Sequence, residues 1–240
     1  MKTDRLDKII AAAGRYSRSD VRRLVKNGAV AVNGRVVTDF SLKTEYGANI
    51  TVNGTPLDTS EHIYIMLNKP QGVVSASEDG KDTTVVDILP DELKRKNLFP
   101  AGRLDKDTVG FCLITDDGDF AHRILSPSHH VDKTYIAAVS DPLDFDAAQK
   151  AFADGIVLAD GTVLLSARLD EIDRDERKYK VTIREGRYHQ VKRMFASLGT
   201  AVVSLERTAI GGLALDASLG RGEARLITAE ELRLIVENNQ

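Results

Sequence analysis

Three short runs hold most of the residues that could do chemistry. The first is Ala101-Gly102-Arg103-Leu104-Asp105-Lys106-Asp107-Thr108-Val109-Gly110, which continues through Leu113-Ile114-Thr115-Asp116-Asp117-Gly118. The second is Leu125-Ser126-Pro127-Ser128-His129-His130-Val131-Asp132-Lys133-Thr134-Tyr135, and the third is Glu185-Gly186-Arg187-Tyr188-His189-Gln190-Val191-Lys192-Arg193-Met194. A carboxylate such as Asp105 can act as a nucleophile or stabilise positive charge on carbon. A lone Arg-Leu-Asp is nonetheless a weak signal, and Asp105 by itself reads as a helix cap, a turn residue or half of an ion pair. Metal and nucleotide chemistry find no support. Asp116-Asp117-Gly118-Asp119 lacks the ligand spacing and later Glu of a calcium loop and reads as a turn and helix start. His122, His129 and His130 have no cysteine or carboxylate spacing that would suit zinc. Gly80-Lys81-Asp82-Thr83 lacks the order of a phosphate-binding loop, and no dinucleotide glycine fingerprint occurs.

The elements that must position these residues are legible from periodicity. Val191, Met194, Phe195 and Leu198 form one apolar stripe ending at Gly199, which predicts a helix with His189, Lys192 and Arg193 on its flank and opposite face. Near the start of the chain, Leu6, Ile9, Ile10 and Ala13 share a helical face, with Gly14 where a left-handed cap is expected. Val21, Leu24 and Val25 make a second stripe behind Ser17-Arg18-Ser19, whose serines are candidate caps. Asn33-Gly34 and Asn53-Gly54 are turn dipeptides beside short strand-like runs. The charged run Leu57-Asp58-Thr59-Ser60-Glu61-His62 resembles a linker, and an apolar strand begins at Ile63, so the domains are expected to be residues 1–60 and 61–240. Strand-like runs at 111–115, 134–139 and 179–184 then mix with helical segments without regular alternation, which favours an α+β class. The tetrapeptide Arg-Leu-Asp-Lys occurs at 5–8 and 103–106, but the flanks share nothing and no repeat is implied.

Composition narrows the function classes. Hydrophobic residues at 42% and charged residues at 29% suit a globular protein, and no stretch approaches the ~20 apolar residues of a membrane span. The charged start Met1-Lys2-Thr3-Asp4-Arg5-Leu6-Asp7 lacks a secretory pattern, so a cytoplasmic protein is expected. Cys112 is the only cysteine, which excludes an internal disulfide and a zinc site built on paired cysteines, and its apolar neighbours predict a buried strand. The net charge of -3 divides unevenly: residues 1–60 hold ten Lys and Arg against six Asp and Glu, leaving 23 against 30 for the rest. Any polyanionic partner must therefore be met by local basic faces. The first two helices offer one in Arg15, Arg18, Arg22, Arg23 and Lys26, although such a charge run alone is commonly just a solvated face.

Two short basic helices followed by a small sheet, over about residues 4 to 50, resemble the S-four RNA-binding domain named after a small-subunit ribosomal protein. The resemblance implies that Arg15, Arg18, Arg22, Arg23 and Lys26 meet RNA phosphates while the apolar stripes pack on the sheet. Downstream, Gly102-Arg103-Leu104-Asp105, the run to Tyr135 and the run Glu185 to Met194 together resemble the pseudouridine synthases, in the branch acting on small-subunit ribosomal RNA. Leu67-Asn68-Lys69-Pro70-Gln71-Gly72 and Ile210-Gly211-Gly212-Leu213 also match, so the likeness spans nearly the whole chain. It implies a mixed, mainly antiparallel sheet in residues 61–240, no cofactor, a monomer, and conversion of a uridine in 16S ribosomal RNA, the one conventionally numbered 516. The rival readings are a synthase acting on 23S ribosomal RNA and a non-catalytic ribosome-assembly factor. The intact Asp105, Tyr135 and Lys192 speak against the second.

The implied reaction breaks a glycosidic nitrogen–carbon bond, rotates the uracil and forms a carbon–carbon bond, with no redox step or metal required. By resemblance Asp105 is the nucleophile, attacking the anomeric carbon or stabilising charge there as a glycal forms. A base stacked over the carboxylate strips it of water, so a neighbouring cation must offset that loss. The family's motif places the cation at Lys192, where many relatives carry Arg, with Arg193 as the alternative; a lysine weakens any expectation of a bidentate pair. Tyr135 maps onto the tyrosine that stacks on the target uracil, a kind of contact worth ~1–3 kcal/mol, and Arg103 onto the side chain that helps to extrude the uridine. Arg187, His189, Gln190 and Arg193 complete the expected substrate contacts. His129 and His130 are expected to touch RNA or hold local structure.

Overall fold

In the computed structural model, which describes residues 2–126 and 131–237, the chain partitions into two units: residues 1–63 with 91–98, and residues 64–90 with 99–240. The first unit runs β1 (Thr3–Arg5), α1 (Leu6–Ala12), α2 (Arg18–Lys26), β2 (Val30–Val32), β3 (Arg35–Val36), β4 (Lys43–Glu45), β5 (Ile50–Val52) and β6 (Thr55–Leu57). Its four-stranded sheet has the order β3-β2-β5-β6, and β1 pairs with β4. Helix α2 starts at a capping box in which Ser17 Oγ accepts from Asp20 N while the Asp20 carboxylate accepts from Ser17 N. The apolar stripes Leu6, Ile9, Ile10 and Val21, Val25 are buried with Val30, Ile50 and Val52 of the sheet. At both Asn-Gly pairs the two residues adopt left-handed φ, 51° and 79° at Asn33-Gly34 and 50° and 76° at Asn53-Gly54. That is the turn geometry matching the twist of a two-residue hairpin.

The run that resembles a linker is instead tied into this unit. Leu57 is in its core, and Thr59 donates to Ala48 O at 3.0 Å while its own carbonyl accepts from Gly47 N at 2.9 Å. Residues 91–98 join here through Arg95, which donates to the carbonyls of Ser60 (3.0 Å) and Asp58 (3.1 Å) and pairs with the Asp58 carboxylate at 3.2 Å. A single boundary near residue 60 does not foresee this return of the chain, because one arginine meeting two carbonyls leaves no periodic signal.

The second unit contains β7 (Tyr64–Lys69), β8 (Phe99–Pro100), β9 (Val109–Thr115), α3 (Gly118–Leu125), β10 (Lys133–Val139), α4 (Phe145–Asp154), β11 (Arg168–Asp173), β12 (Lys178–Ile183), α5 (Gln190–Ser197), β13 (Val202–Ile210), β14 (Leu213–Ala214), β15 (Ala224–Leu226) and α6 (Ala229–Glu237). Its sheet has the order β11-β12-β10-β13-β9-β7-β15, with β14 on β13 and β8 on β9. Among the described residues every pairing in it is antiparallel except β9 with β13. The α+β, mainly antiparallel expectation therefore holds. Strand β9 is buried on both faces, Cys112 included, whereas β10 and β12 alternate buried and half-buried residues. Tyr179 of β12 meets α4 and α5 in an aromatic cluster, where Phe195 lies 5.4 Å from Phe152 and 6.0 Å from Tyr179 between ring centres. A second core joins Phe111 and Leu113 to Phe120 and Ile124 of α3 and Ile235 of α6. Asp117 caps α3 by accepting from Phe120 N at 2.9 Å, the helix start the acidic run suggested. No helix among the described residues is long and apolar enough to cross a membrane.

The parallel junction fixes where the sheet can carry a site. Gly110 of β9 lies opposite Arg207 of β13, has φ 98°, and would place a Cβ 2.3 Å from Arg207 O and 3.0 Å from Arg207 N. Gly110→Ala is expected to cost about 3 kcal/mol from clash and strain together. Gly118→Ala, where an added Cβ meets nothing within 4 Å, should stay within about 0.5 kcal/mol of the parent. Urea unfolding of the three proteins checks this, and equal midpoints would remove the close-approach argument.

Candidate active site

Asp105 lies on the loop between β8 and β9, and the loop is held mainly through its backbone. Ser75 Oγ donates to Leu104 O and accepts from Leu104 N, each at 3.0 Å. Gly72 N donates to Lys106 O at 2.8 Å, and Thr108 N closes a turn onto Asp105 O at 3.1 Å. Beneath the loop, Lys69 at the end of β7 is fully buried and donates from Nζ to Thr108 O (2.8 Å), Pro70 O (3.1 Å) and Lys106 O (3.3 Å). Burial pushes the Lys69 ammonium down to about 8, against the opposing pull of Asp107 and Asp105.

Helix α5 brings the cation. Lys192 Nζ lies 3.0 Å from Asp105 Oδ2 and 2.6 Å from Asp107 Oδ1, so one ammonium stands between two carboxylates. Burial works against its charge, but Asp107 and Asp105 outweigh burial and hold it above the usual lysine range. Lys192 in turn holds the Asp107 carboxyl below the usual range. His189 Nε2 lies 3.5 Å from Asp105 Oδ1. The Asp105 side chain keeps 25% of its surface exposed, enough to be reached. Arg193, the alternative cation, is paired with Asp160 instead. Hydrogen bonds from Thr162, with that guanidinium, hold the Asp160 carboxyl at about 2. Sequence reasoning did not single out Asp107 or Lys69. The available signals were a carboxylate two positions beyond Asp105 and a lysine closing an apolar strand.

The turn before α5 is built around a buried carboxylate. Glu185 Oε1 accepts from Leu165 N (2.8 Å) and Gln190 Nε2 (3.2 Å), and Oε2 accepts from Arg187 Nε (3.0 Å). Gln190 Oε1 accepts from Arg187 N at 2.9 Å. Gln190, expected among the substrate contacts, is only 4% exposed. Both ends of its amide are used inside the turn, so the structure gives it the task of shaping residues 185–190. Arg187 and His189 remain accessible.

Tyr135 is one of the buried residues in the alternation of β10. In register it lies opposite Arg207 of β13, Arg207 lies opposite Gly110 of β9, and Gly110 lies opposite Lys69 of β7. One row across the sheet thus carries Lys69, Gly110, Arg207 and Tyr135. Arg207 is buried too; its Nε donates to Phe111 O at 2.7 Å. Arg103 is exposed and has no ion pair among the described residues. His129 and His130 lie outside the described residues.

In the first unit Arg15, Arg18, Arg22, Arg23 and Lys26 are all exposed, but two are engaged. Arg23 pairs with Asp20 at 3.0 Å. Arg22 shares the buried Asp7 with Arg5, at 3.4 and 3.1 Å, and lies over the Phe40 ring at 5.1 Å. Arg15, Arg18 and Lys26 have no carboxylate partner among the described residues. No group of three or more His, Cys, Asp or Glu placed to hold a metal occurs among the described residues.

Residues 63–197 match the family model of the RNA pseudouridylate synthases, and residues 4–43 match that of the S4 domain. The chain is 42% identical over 234 residues to the ribosomal small subunit pseudouridine synthase A of Escherichia coli strain K12, covering 97% of this chain and 100% of that protein. It is 43% identical over 236 residues to an uncharacterised RNA pseudouridine synthase of Bacillus subtilis strain 168, covering 97% and 98%. A crystal structure described as a pseudouridylate synthase, 40% identical, aligns with a TM-score of 0.67 over 97% of this chain and 99% of that one.

The buried lysine generates a pH signature. The folded protein releases the Lys69 proton near pH 8, whereas the unfolded chain holds it until about 10.5. Between those values the unfolded state binds more protons, so stability should rise with pH there, by up to about 3 kcal/mol. Lys69→Met should lose that rise. Urea unfolding of parent and variant from pH 7 to 10 checks it; parallel curves would show that Lys69 does not titrate in this window.

Proposed function

The chain belongs to the RNA pseudouridylate synthase family and is an RNA pseudouridine synthase with an S4 domain, and from that premise we propose that it isomerises a uridine of small-subunit ribosomal RNA, the one conventionally numbered 516 in 16S RNA, with Asp105 as nucleophile. The chemical part is carried by one observation: a partly exposed Asp105 carboxylate with Lys192 at 3.0 Å, on a loop pinned by Ser75, Gly72 and Lys69. The choice of RNA is supported by the Escherichia coli relative, whose name specifies the small ribosomal subunit and whose whole length is matched.

In this scheme Asp105 adds to C1′ as the bond to N1 breaks, and the uracil carries away the electron pair. Alternatively the carboxylate stabilises the charge on C1′ while a glycal forms. The uracil turns and C5 bonds to C1′ as the Asp105–C1′ ester bond breaks and frees the carboxylate, or, on the glycal route, as the proton taken from C2′ to form the glycal is returned there. C5 then loses its proton and N1 gains one, so atoms and charge balance with no oxidant. Lys192 keeps the carboxylate charged as the base displaces water. Tyr135 supplies an aromatic face for the uracil and Arg103, which has no ion pair among the described residues, enters the emptied stack. Arg187 and His189 flank the substrate, Gln190 shapes the turn that presents them, and Arg193 anchors α5 through Asp160. Arg15, Arg18 and Lys26 supply phosphate contacts from the S4 unit.

Mapping pseudouridines in small- and large-subunit RNA from cells with and without this chain tests the reading. Loss confined to position 516 of the small subunit supports it, loss in large-subunit RNA reassigns the target, and no loss in either removes the function.

Asp105→Asn should abolish isomerisation while leaving RNA binding within about twofold. Lys192→Met should slow the single-turnover step by at least about tenfold, since the carboxylate loses its cation, and Lys192→Arg should keep much of the rate. Arg193→Met should change it little, since that guanidinium serves Asp160. Equal rates for parent and Lys192→Met would sink the cation's role.

Replacing Arg15, Arg18 and Lys26 together by Ala should weaken binding and make the slope of log affinity against log salt shallower by about 2, at roughly 0.7 per single-strand phosphate contact. The rate at saturating RNA should be unchanged. An unaltered salt slope would mean that these three do not touch phosphates.

A further inference from the structure

One exposed aromatic beside Asp105 has no part in this scheme. Tyr188 is 77% exposed, more than any other large hydrophobic side chain among the described residues. Its ring lies nearly parallel on the His189 imidazole, with centres 3.8 Å apart and planes at 20°, and His189 Nε2 is 3.5 Å from Asp105 Oδ1. The imidazole thus has the Asp105 carboxylate near its edge and the tyrosine ring on one face.

A single exposed aromatic is ordinarily unremarkable, but this one is held in place. His189 has φ 49° and ψ 35°, left-handed values that few residues other than glycine adopt and that persist only where the surroundings over-determine them. Here the surroundings are the buried Glu185 and Gln190. Their hydrogen bonds to each other, to Arg187 N, to Arg187 Nε and to Leu165 N fix the backbone on both sides of Tyr188. The result is a rigid π-face turned to solvent next to a site that must unstack its substrate. It differs from Tyr135, which is buried.

We propose that the open face of Tyr188 is a stacking subsite for the base of a nucleotide adjoining the target uridine, the base that loses its neighbour when the uridine is extruded. The inference rests on the function proposed above. Extrusion exposes one face of each flanking base, and every base has a π-face, so the contact tolerates any sequence and stabilises the extruded state without reading it. The phenolic hydroxyl is not required.

The test combines protein variants with altered RNA. Parent, Tyr188→Phe and Tyr188→Ala would be assayed on a small-subunit RNA fragment containing the target uridine, and on versions carrying one abasic nucleotide at each flanking position in turn. Binding is read by fluorescence anisotropy and chemistry by single-turnover pseudouridine formation. Tyr188→Ala should weaken binding by roughly fivefold to a hundredfold, the range expected for one base on an aromatic ring, with a smaller change in the saturated rate, and Tyr188→Phe should recover the parent affinity. At one flanking position the abasic RNA should weaken binding to parent and Tyr188→Phe but cost Tyr188→Ala nothing further. Parent affinity in Tyr188→Ala, or additive losses at every position while the parent enzyme turns over, overturns the subsite and leaves the function standing. A parent enzyme that turns over neither this fragment nor the corresponding large-subunit RNA overturns the function, and this inference with it.

Discussion

Lys192 lies 3.0 Å from Asp105 and 2.6 Å from Asp107, so a single positive charge serves two negative ones and the trio carries a net charge of -1. Without the ammonium, two carboxylates two residues apart would stand near each other with no cation between them, and their repulsion would go uncompensated. Other features of the catalytic unit can be understood as holding this geometry. Phe195 in the aromatic cluster sets the packing of α5, and the buried Glu185–Gln190 pair sets its first turn. Arg193, neighbour to the cation, is drawn off by Asp160 and does not compete for Asp105.

The other half of the geometry is the loop, and there a buried charge acts on carbonyl dipoles. An apolar side chain at Lys69 would avoid the cost of desolvating an ammonium, but it would leave the carbonyls of Thr108, Pro70 and Lys106 without their common donor. The lysine converts three backbone groups into one rigid unit directly beneath Asp105 and Asp107. Its place in the sheet matters as much as its charge, since Lys69, Gly110, Arg207 and Tyr135 share one row. Gly110 lets β9 and β13 approach in parallel at that row. A small shift of either strand would therefore move the loop and the tyrosine together.

Features that depend on local chemistry were legible in the sequence. The Ser17 cap, the two Asn-Gly turns, the Val191–Leu198 stripe and the burial of Cys112 all follow from neighbouring residues, and the structure has each of them. Features made by distant partners were not. Arg95 reaches back to Asp58 and Ser60, and the charged run there looks like a linker because its polar groups are satisfied by a segment more than thirty residues away in sequence. Gln190 sits in a motif full of exposed polar residues, and only the buried Glu185 reveals that it faces inward. Asp107 was visible as a residue but not as a partner, since sharing a lysine requires α5 to be in place.

Charge distribution separates affinity from chemistry on physical grounds. The first unit holds thirteen Lys and Arg against nine Asp and Glu, and the second twenty against twenty-seven. A unit with that acidic excess gains nothing from non-specific attraction to a polyanion, and its trio of Asp105, Asp107 and Lys192 is itself negative. Adding cations around Asp105 would draw RNA in but would also compete with Lys192 for the carboxylates and, in the proposed function, bind phosphate where the base is to sit. Arg15, Arg18 and Lys26, which have no carboxylate partner among the described residues, belong to the other unit, so in the proposed function the salt-dependent attraction is carried by residues that do not compete with Lys192. Beside the proposed nucleophile Asp105, an uncharged aromatic such as Tyr188 would be the better contact, since it could hold a base without disturbing the balance among Asp105, Asp107 and Lys192.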